Sequence, residues 1–480
     1  MRFILFLIFG FGSLAAGAQV GYKLDFKVAG LKDTTVYLGN YYGESTYRSD
    51  TARVDKSGSF SFSGNKILPQ GVYILIIQKG KELLKAFDFV MGEDQTFSME
   101  TTTDDFVGKM KVVGDVDNKL FFENMIYNME RGKEADPFIK VLQDTSIAES
   151  NKKEAREGFQ VVSKKVMKYQ DEIIEKYPTT LTARILKANK PIEIPDAPKL
   201  PNGEVDQAFG YRYYKKHFFD NFDVADEAFI RMPRPFYLEK LKEYLDKLVV
   251  PSSDSLIKEI DALATKARKN QETYKYLVWQ CVFKYQNPEI MGQDAIFVHL
   301  YDKYFASKEM DFWINAKTKQ SLKDHADQLR LSLIGMTAPN LIMQDINKQP
   351  RNMYDIKNKY TILFIFDPSC GHCREETPKL VNFYNANHTK LNVEVFAVSA
   401  DSSMKKMNDF MKEFKTPWIT VNGPRSYVGS YHKLYDATQT PTIYIIDNRK
   451  KIIAKKPPVE KLEEFLTHYE ENQKKQAGGK

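Results

Sequence analysis

The stretch Thr361-Ile362-Leu363-Phe364-Ile365-Phe366-Asp367-Pro368-Ser369-Cys370-Gly371-His372-Cys373-Arg374 decides how the C-terminal part of this chain is read. Thr361 to Phe366 is an apolar run, as expected of a central strand covered on both faces. Two cysteines with two residues between them follow, opening a helix that runs through Leu380-Val381-Asn382-Phe383. At a helix start that spacing lets two sulfurs approach disulfide distance. It also sets Cys370 beside the unpaired N–H groups and positive dipole end of the helix. That field favours the thiolate, the species that attacks disulfides. A protonated His372 would add positive charge next to both sulfurs.

Other uses of the pair fit less well. A structural zinc site needs four ligands, and the only other cysteine, Cys281, lies 89 residues upstream inside a different, largely apolar segment. Attachment of c-type haem needs His directly after the second Cys, where Arg374 stands. A purely structural bridge closing so small a loop gains little entropic stabilisation. Redox-active thiols are therefore expected, with no metal and no cofactor.

Outward from this motif, strands and helices alternate from Gly335 onward. Val393–Ser399, Trp418–Val421, Thr442–Asp447 and Lys451–Ala454 read as strands, Ser402–Phe414 as a helix, and a last helix begins at Val459. This is an α/β layer arrangement. Between Asp115 and Ile334 the periodicity is helical. It is interrupted by Pro191, Pro195, Pro198 and Pro201, which mark a linker. From Gly21 to about Val113, runs such as Tyr22-Lys23-Leu24-Asp25-Phe26-Lys27-Val28 alternate apolar and polar residues. Short strands at this spacing predict an antiparallel sandwich or small barrel of seven or eight strands.

The first residues, MRFILFLIFGFGSLAAGA, combine Arg2, an apolar run and the small-x-small site Ala16-Gly17-Ala18. That is the pattern of a signal peptide cleaved before Gln19. The apolar run is shorter than the roughly 20 residues a membrane span needs. The mature chain is thus expected to be exported and soluble, without stable membrane insertion. Over 480 residues, 42% hydrophobic and 28% charged, composition excludes collagen-like, disordered and disulfide-scaffold classes. A net charge of +7 over this length gives no case for a nucleic-acid partner.

With these motifs in view, Gly335 to about Tyr469 resembles the thioredoxin-fold modules of the TlpA/ResA-like group of envelope thiol-disulfide oxidoreductases. Pro378, eight residues beyond Cys370, falls where members of that group kink the active-site helix. Thr440-Pro441 matches the cis-proline loop that lies against the disulfide and accepts substrate backbone. Glu376 matches an acidic residue these proteins carry near the site. The 71-residue interval from Cys370 to Pro441 fits the extra elements of the group. Ser369 stands where the group usually has Trp, Asp367-Pro368 replaces small residues, and Phe364 replaces the buried acid of thioredoxin. Proton transfer at Cys373 would then fall to Glu376, Asp367 or water. The preceding regions resemble uncharacterised extensions found before such modules in Gram-negative envelope proteins.

Together these features imply a multidomain chain. It would comprise a signal peptide (1–18), a β-rich domain (19–114), and a helical region (115–334, Pro-rich near 190–202). A thioredoxin-like domain (335–472) and a disordered tail (473–480) would complete it. The implied activity is periplasmic reduction of protein disulfides. Cys370 and Cys373 would be catalytic, Gly371, His372, Glu376 and Asp367 supporting, and Thr440 and Pro441 substrate-binding. Protein thiols or disulfides and an envelope electron donor would be the partners. The rivals are a binding protein that uses the module as a scaffold, and a thiol peroxidase. A peroxidase would carry Thr or Ser three residues before the attacking cysteine, where Asp367 stands.

Overall fold

The computed structural model describes residues 21–478, so the signal-peptide segment lies outside the described residues. The chain forms two compact units. One comprises the described part of Met1–Leu248 with Lys266–Tyr274, and the other Val249–Thr265 with Lys275–Lys480.

The first unit begins with eight strands: β1 (Tyr22–Ala29), β2 (Thr35–Tyr42), β3 (Ser45–Arg53), β4 (Ser59–Gly64), β5 (Gly71–Lys79), β6 (Glu82–Met91), β7 (Thr96–Thr102) and β8 (Lys111–Val113). They pair as two four-stranded sheets, ordered β4-β1-β7-β8 and β3-β2-β5-β6. Alternation along β1 buries Tyr22, Leu24, Phe26 and Val28 and leaves Lys23 and Lys27 exposed, the period of two that a half-covered strand imposes. Both sheets feed one buried cluster, which includes Phe26, Phe62, Leu75, Phe89 and Met99. Two features differ from the expected antiparallel sandwich or barrel. Strand β1 runs parallel to β7, and no barrel closes among the described residues. Pairing the first strand with the seventh is a long-range choice that local alternation does not encode.

Helices α1 (Val116–Gln143), α2 (Lys153–Lys176), α3 (Leu181–Asn189), α4 (Phe209–His217) and α5 (Phe236–Glu243) follow. Asp115 caps α1, its carboxylate accepting from the N–H groups of Asp117 and Asn118. The Asp117 carboxylate in turn accepts the Leu181 and Thr182 N–H groups, both at 2.7 Å, and so holds the start of α3 against α1. Just after α4, Phe218 is buried and meets Phe219 and Tyr244.

Helices α6 (Ser253–Ala267) and α7 (Gln271–Tyr285) are shared by the two units, and α8 (Asp294–Leu300) and α9 (Ala316–Arg330) belong to the second. Its sheet contains β9 (Ile342–Asp345), β10 (Pro350–Asn352), β11 (Tyr360–Phe366), β12 (Val393–Ser399), β13 (Ile419–Ser426), β14 (Thr442–Asp447) and β15 (Ile452–Lys455), in the order β10-β9-β13-β12-β11-β14-β15. Helices α10 (Gly371–Asn387), α11 (Met404–Phe414), α12 (Tyr431–Leu434) and α13 (Leu462–Gly478) complete the unit. Every residue of β11 is buried. Tyr360, Ile362, Phe364 and Phe366 enter one core, and Leu363 and Ile365 the other. The strand is thus covered on both faces, as its apolar run predicts. The expected disordered tail is corrected in part, since α13 continues to Gly478.

Candidate active site

Strand β11 ends at Phe366, and a tight turn leads into α10. The Cys370 N–H donates to the Asp367 carbonyl at 3.0 Å, and the Ser369 N–H to the Asp367 carboxylate at 2.7 Å. Asp367 thereby shapes the turn, while Cys370 is the N-cap residue of the helix in an extended backbone conformation. Gly371, the first helical residue, has open space around it.

The two sulfurs have opposite environments. Cys370 is partly exposed and Cys373 completely buried. The Cys370 thiol lies below the ordinary cysteine range, chiefly because the Cys373 backbone N–H points to its sulfur; the Thr440 side chain, the Cys373 side chain and the His372 N–H help. Burial pushes the Cys373 thiol up to about 12, against the Asp367 N–H, which donates to its sulfur at 3.3 Å. Sequence spacing sets Cys370 at a dipole end; the tertiary structure adds the contrast between the two sulfurs.

Thr440–Pro441 is a cis peptide, and the Thr440 carbonyl oxygen lies 3.4 Å from Cys370 Sγ, accepting from the thiol. This loop joins the site from 70 residues away in the chain. Pro378 sits inside α10, and Phe364 is buried and stacked on Phe366.

Two supporting residues stand elsewhere than expected. The His372 side chain is 83% exposed, with Nδ1 3.5 Å from Glu375. It is the His372 backbone N–H, not the imidazole, that reaches the Cys370 sulfur. Glu376 is held by Lys379 at 2.6 Å, and Lys379 also pairs with Glu460, so this carboxylate is engaged on the flank of α10. The hydrogen bond to Cys373 Sγ comes instead from the Asp367 N–H. Residues that sequence alone does not single out also border the site. The buried Tyr431 hydroxyl has no hydrogen-bond partner among the described residues, and its ionisation is opposed by burial and by Asp367. Thr377 donates to the Cys373 carbonyl at 2.6 Å. Arg374 lies over Phe414 and pairs with Glu413, tying α10 to α11. Among the described residues no group of three or more His, Cys, Asp or Glu is arranged to hold a metal ion.

Comparison with known proteins matches residues 334–455 to the AhpC/TSA family, and residues 22–121 and 150–327 to two domains of unknown function, DUF4369 and DUF5106. The chain is 28% identical over 138 residues to a thiol-disulfide oxidoreductase ResA of Bacillus thuringiensis, covering 28% of this chain and 76% of that one. With ResA of Bacillus subtilis it shares 26% over 120 residues, 25% of this chain and 64% of the relative. Among solved structures, a domain of a possible thiol-disulfide isomerase from Cytophaga hutchinsonii is 36% identical, spanning 30% of this chain and 97% of that one with a TM-score of 0.28. Residues 334–455 thus form an AhpC/TSA thioredoxin-like domain, and this part of the chain is similar to the ResA thiol-disulfide oxidoreductases.

Proposed function

We propose that this chain is an exported thiol-disulfide oxidoreductase that reduces protein disulfides through Cys370-Gly371-His372-Cys373. The observation that carries this is the asymmetry of the pair: one accessible thiol of lowered pKa on the helix N-terminus, and one buried thiol raised to about 12.

In this mechanism the Cys370 thiolate attacks one sulfur of a client disulfide, expelling the other as a thiolate and forming a mixed disulfide. Cys373 then loses its proton and attacks Cys370 Sγ, releasing the second client thiol and closing the Cys370–Cys373 bridge. Two electrons leave the protein, and an envelope electron donor must restore them. The buried Cys373 is slow to ionise, so its attack awaits the mixed disulfide rather than competing for the client. Thr440 and Pro441 line the groove in which client backbone lies. The signal-like N-terminus supports export and a periplasmic setting, and among the described residues no helix is long and apolar enough to cross a membrane.

The test is equilibration of the Cys370–Cys373 pair with dithiothreitol or glutathione buffers, read by thiol mass-tagging. A potential near the roughly −270 mV of thioredoxin is expected of a reductase. A value nearer about −180 mV would replace reduction by oxidation or isomerisation, and a pair that never titrates would overturn redox function altogether.

A further inference from the structure

Beside the cis-proline loop lies a cleft of about 350 Å³. One side is the loop itself and the end of β15: Asp436, Gln439 and Lys456. The other is the segment between α7 and α8, which carries Asn287, Glu289, Ile290 and Met291. That second side belongs to sequence preceding the thioredoxin-like domain, within the stretch matched to DUF5106.

The wall is built into the unit. Lys455 is buried, with Nζ 2.5 Å from Asp294 and 3.7 Å from Asp436, and its backbone N–H meets Met291 Sδ at 3.2 Å. Ser253 donates to the Gly292 carbonyl at 2.8 Å, and Gln293 Nε2 to the Pro251 carbonyl at 3.2 Å. Asp436, at the root of the cis-proline loop, also pairs with Lys456 at 2.7 Å. A buried, doubly paired lysine thus ties α8 to the loop that touches the reactive sulfur. The cleft between them is pre-formed, which lowers the ordering cost of binding.

Its place and chemistry indicate the occupant. Gln439 precedes Thr440, whose carbonyl oxygen lies 3.4 Å from Cys370 Sγ. An extended polypeptide advances about 3.3 Å per residue, so residues a few positions from the cysteine of a chain joined to Cys370 can reach the cleft. The amides of Asn287 and Gln439 suit peptide N–H and C=O groups. Ile290 and Met291 are 50% and 42% exposed and offer apolar surface on this wall.

We infer that the Pro288–Gly292 segment is a specificity wall: it receives an apolar side chain, about two residues from the target cysteine, of an extended client polypeptide. This rests on the oxidoreductase function proposed above and names its substrate class. The middle region thereby selects clients while the cysteines perform the exchange.

The test compares three disulfides reduced by the full mature chain: a peptide dimer with Leu two residues to either side of its cysteine, the same dimer with Ser there, and glutathione disulfide. For the unaltered protein, KM for the Leu dimer is expected about fivefold to tenfold below that for the Ser dimer. Ile290→Ser abolishes this preference, Ile290→Leu restores it, and glutathione disulfide turnover stays the same in all three proteins. Equal KM values in the unaltered protein, or a preference that survives Ile290→Ser, would overturn the inference while leaving the oxidoreductase intact. A fall in glutathione disulfide turnover parallel to that of the peptides would show a general defect and overturn it equally. If the unaltered protein reduces none of the three, the proposed function fails first.

Discussion

Cys370 and Cys373 differ in only one respect that sequence can express, their order at a helix start; the fold turns that order into two different environments. The accessible Cys370 sulfur takes the Cys373 and His372 N–H groups, which favour its anion. Since its folded-state pKa is lowered, the thiolate fraction at neutral pH is raised, and alkylation should become half-maximal at a lower pH than for a free cysteine. Stopped iodoacetamide reactions with mass detection should show one cysteine modified along that curve. The buried Cys373 should stay silent until far more alkaline pH. A Cys373→Ser variant should trap client as a stable mixed disulfide, whereas Cys370→Ser should trap none; non-reducing gels distinguish the two. His372→Ala should leave the alkylation profile nearly unshifted, because the exposed ring faces Glu375 and the backbone N–H survives the substitution. A displacement of a full pH unit would return the imidazole to the role its position in the motif suggests.

Among the elements, α10 and the cis-proline loop make the site together, but only the first announces itself locally. The apolar run before the cysteines and the Cys-x-x-Cys spacing mark a strand and a helix start. Nothing near Thr440 says that it will stand 3.4 Å from Cys370 Sγ; that follows from β14 pairing antiparallel to β11, Ile365 opposite Thr442. The Asp117 clasp is likewise invisible in sequence, since it joins helices across 64 residues of chain. It is open to test. Asp117→Ala strips the acceptor from two buried N–H groups and should cost about 2–4 kcal/mol, measured as a lower urea midpoint by far-ultraviolet circular dichroism. An unchanged midpoint would mean that water or a neighbouring group replaces the carboxylate.

At the scale of the whole molecule, the described chain has separate cores. The cluster around Phe26 and Phe89 shares no residue with those on the two faces of β11. All three tryptophans, Trp279, Trp313 and Trp418, lie in the second unit. Tryptophan fluorescence therefore reports that unit alone, while circular dichroism reports both. Asp117→Ala should shift the dichroism transition and leave the fluorescence midpoint in place; a joint shift would show that the units unfold as one. The backbone is not divided as simply as the cores. It leaves the first unit at Leu248, returns over Lys266–Tyr274 and leaves again, so helices α6 and α7 each contribute to both.

What sequence determined by itself was local. The period of two in β1, the apolar run of β11 and the two-residue spacing of the cysteines depend only on neighbouring side chains, and they suffice to single out the cysteine pair. Tertiary structure decided what depends on distant partners: the parallel pairing of β1 with β7, the approach of Thr440 to Cys370, the engagement of Glu376 by Lys379, and the burial of Lys455 between Asp294 and Asp436. The physical reason is that periodicity records which face of an element is apolar. The partner that face or charge meets is set by how the chain closes over tens to hundreds of residues.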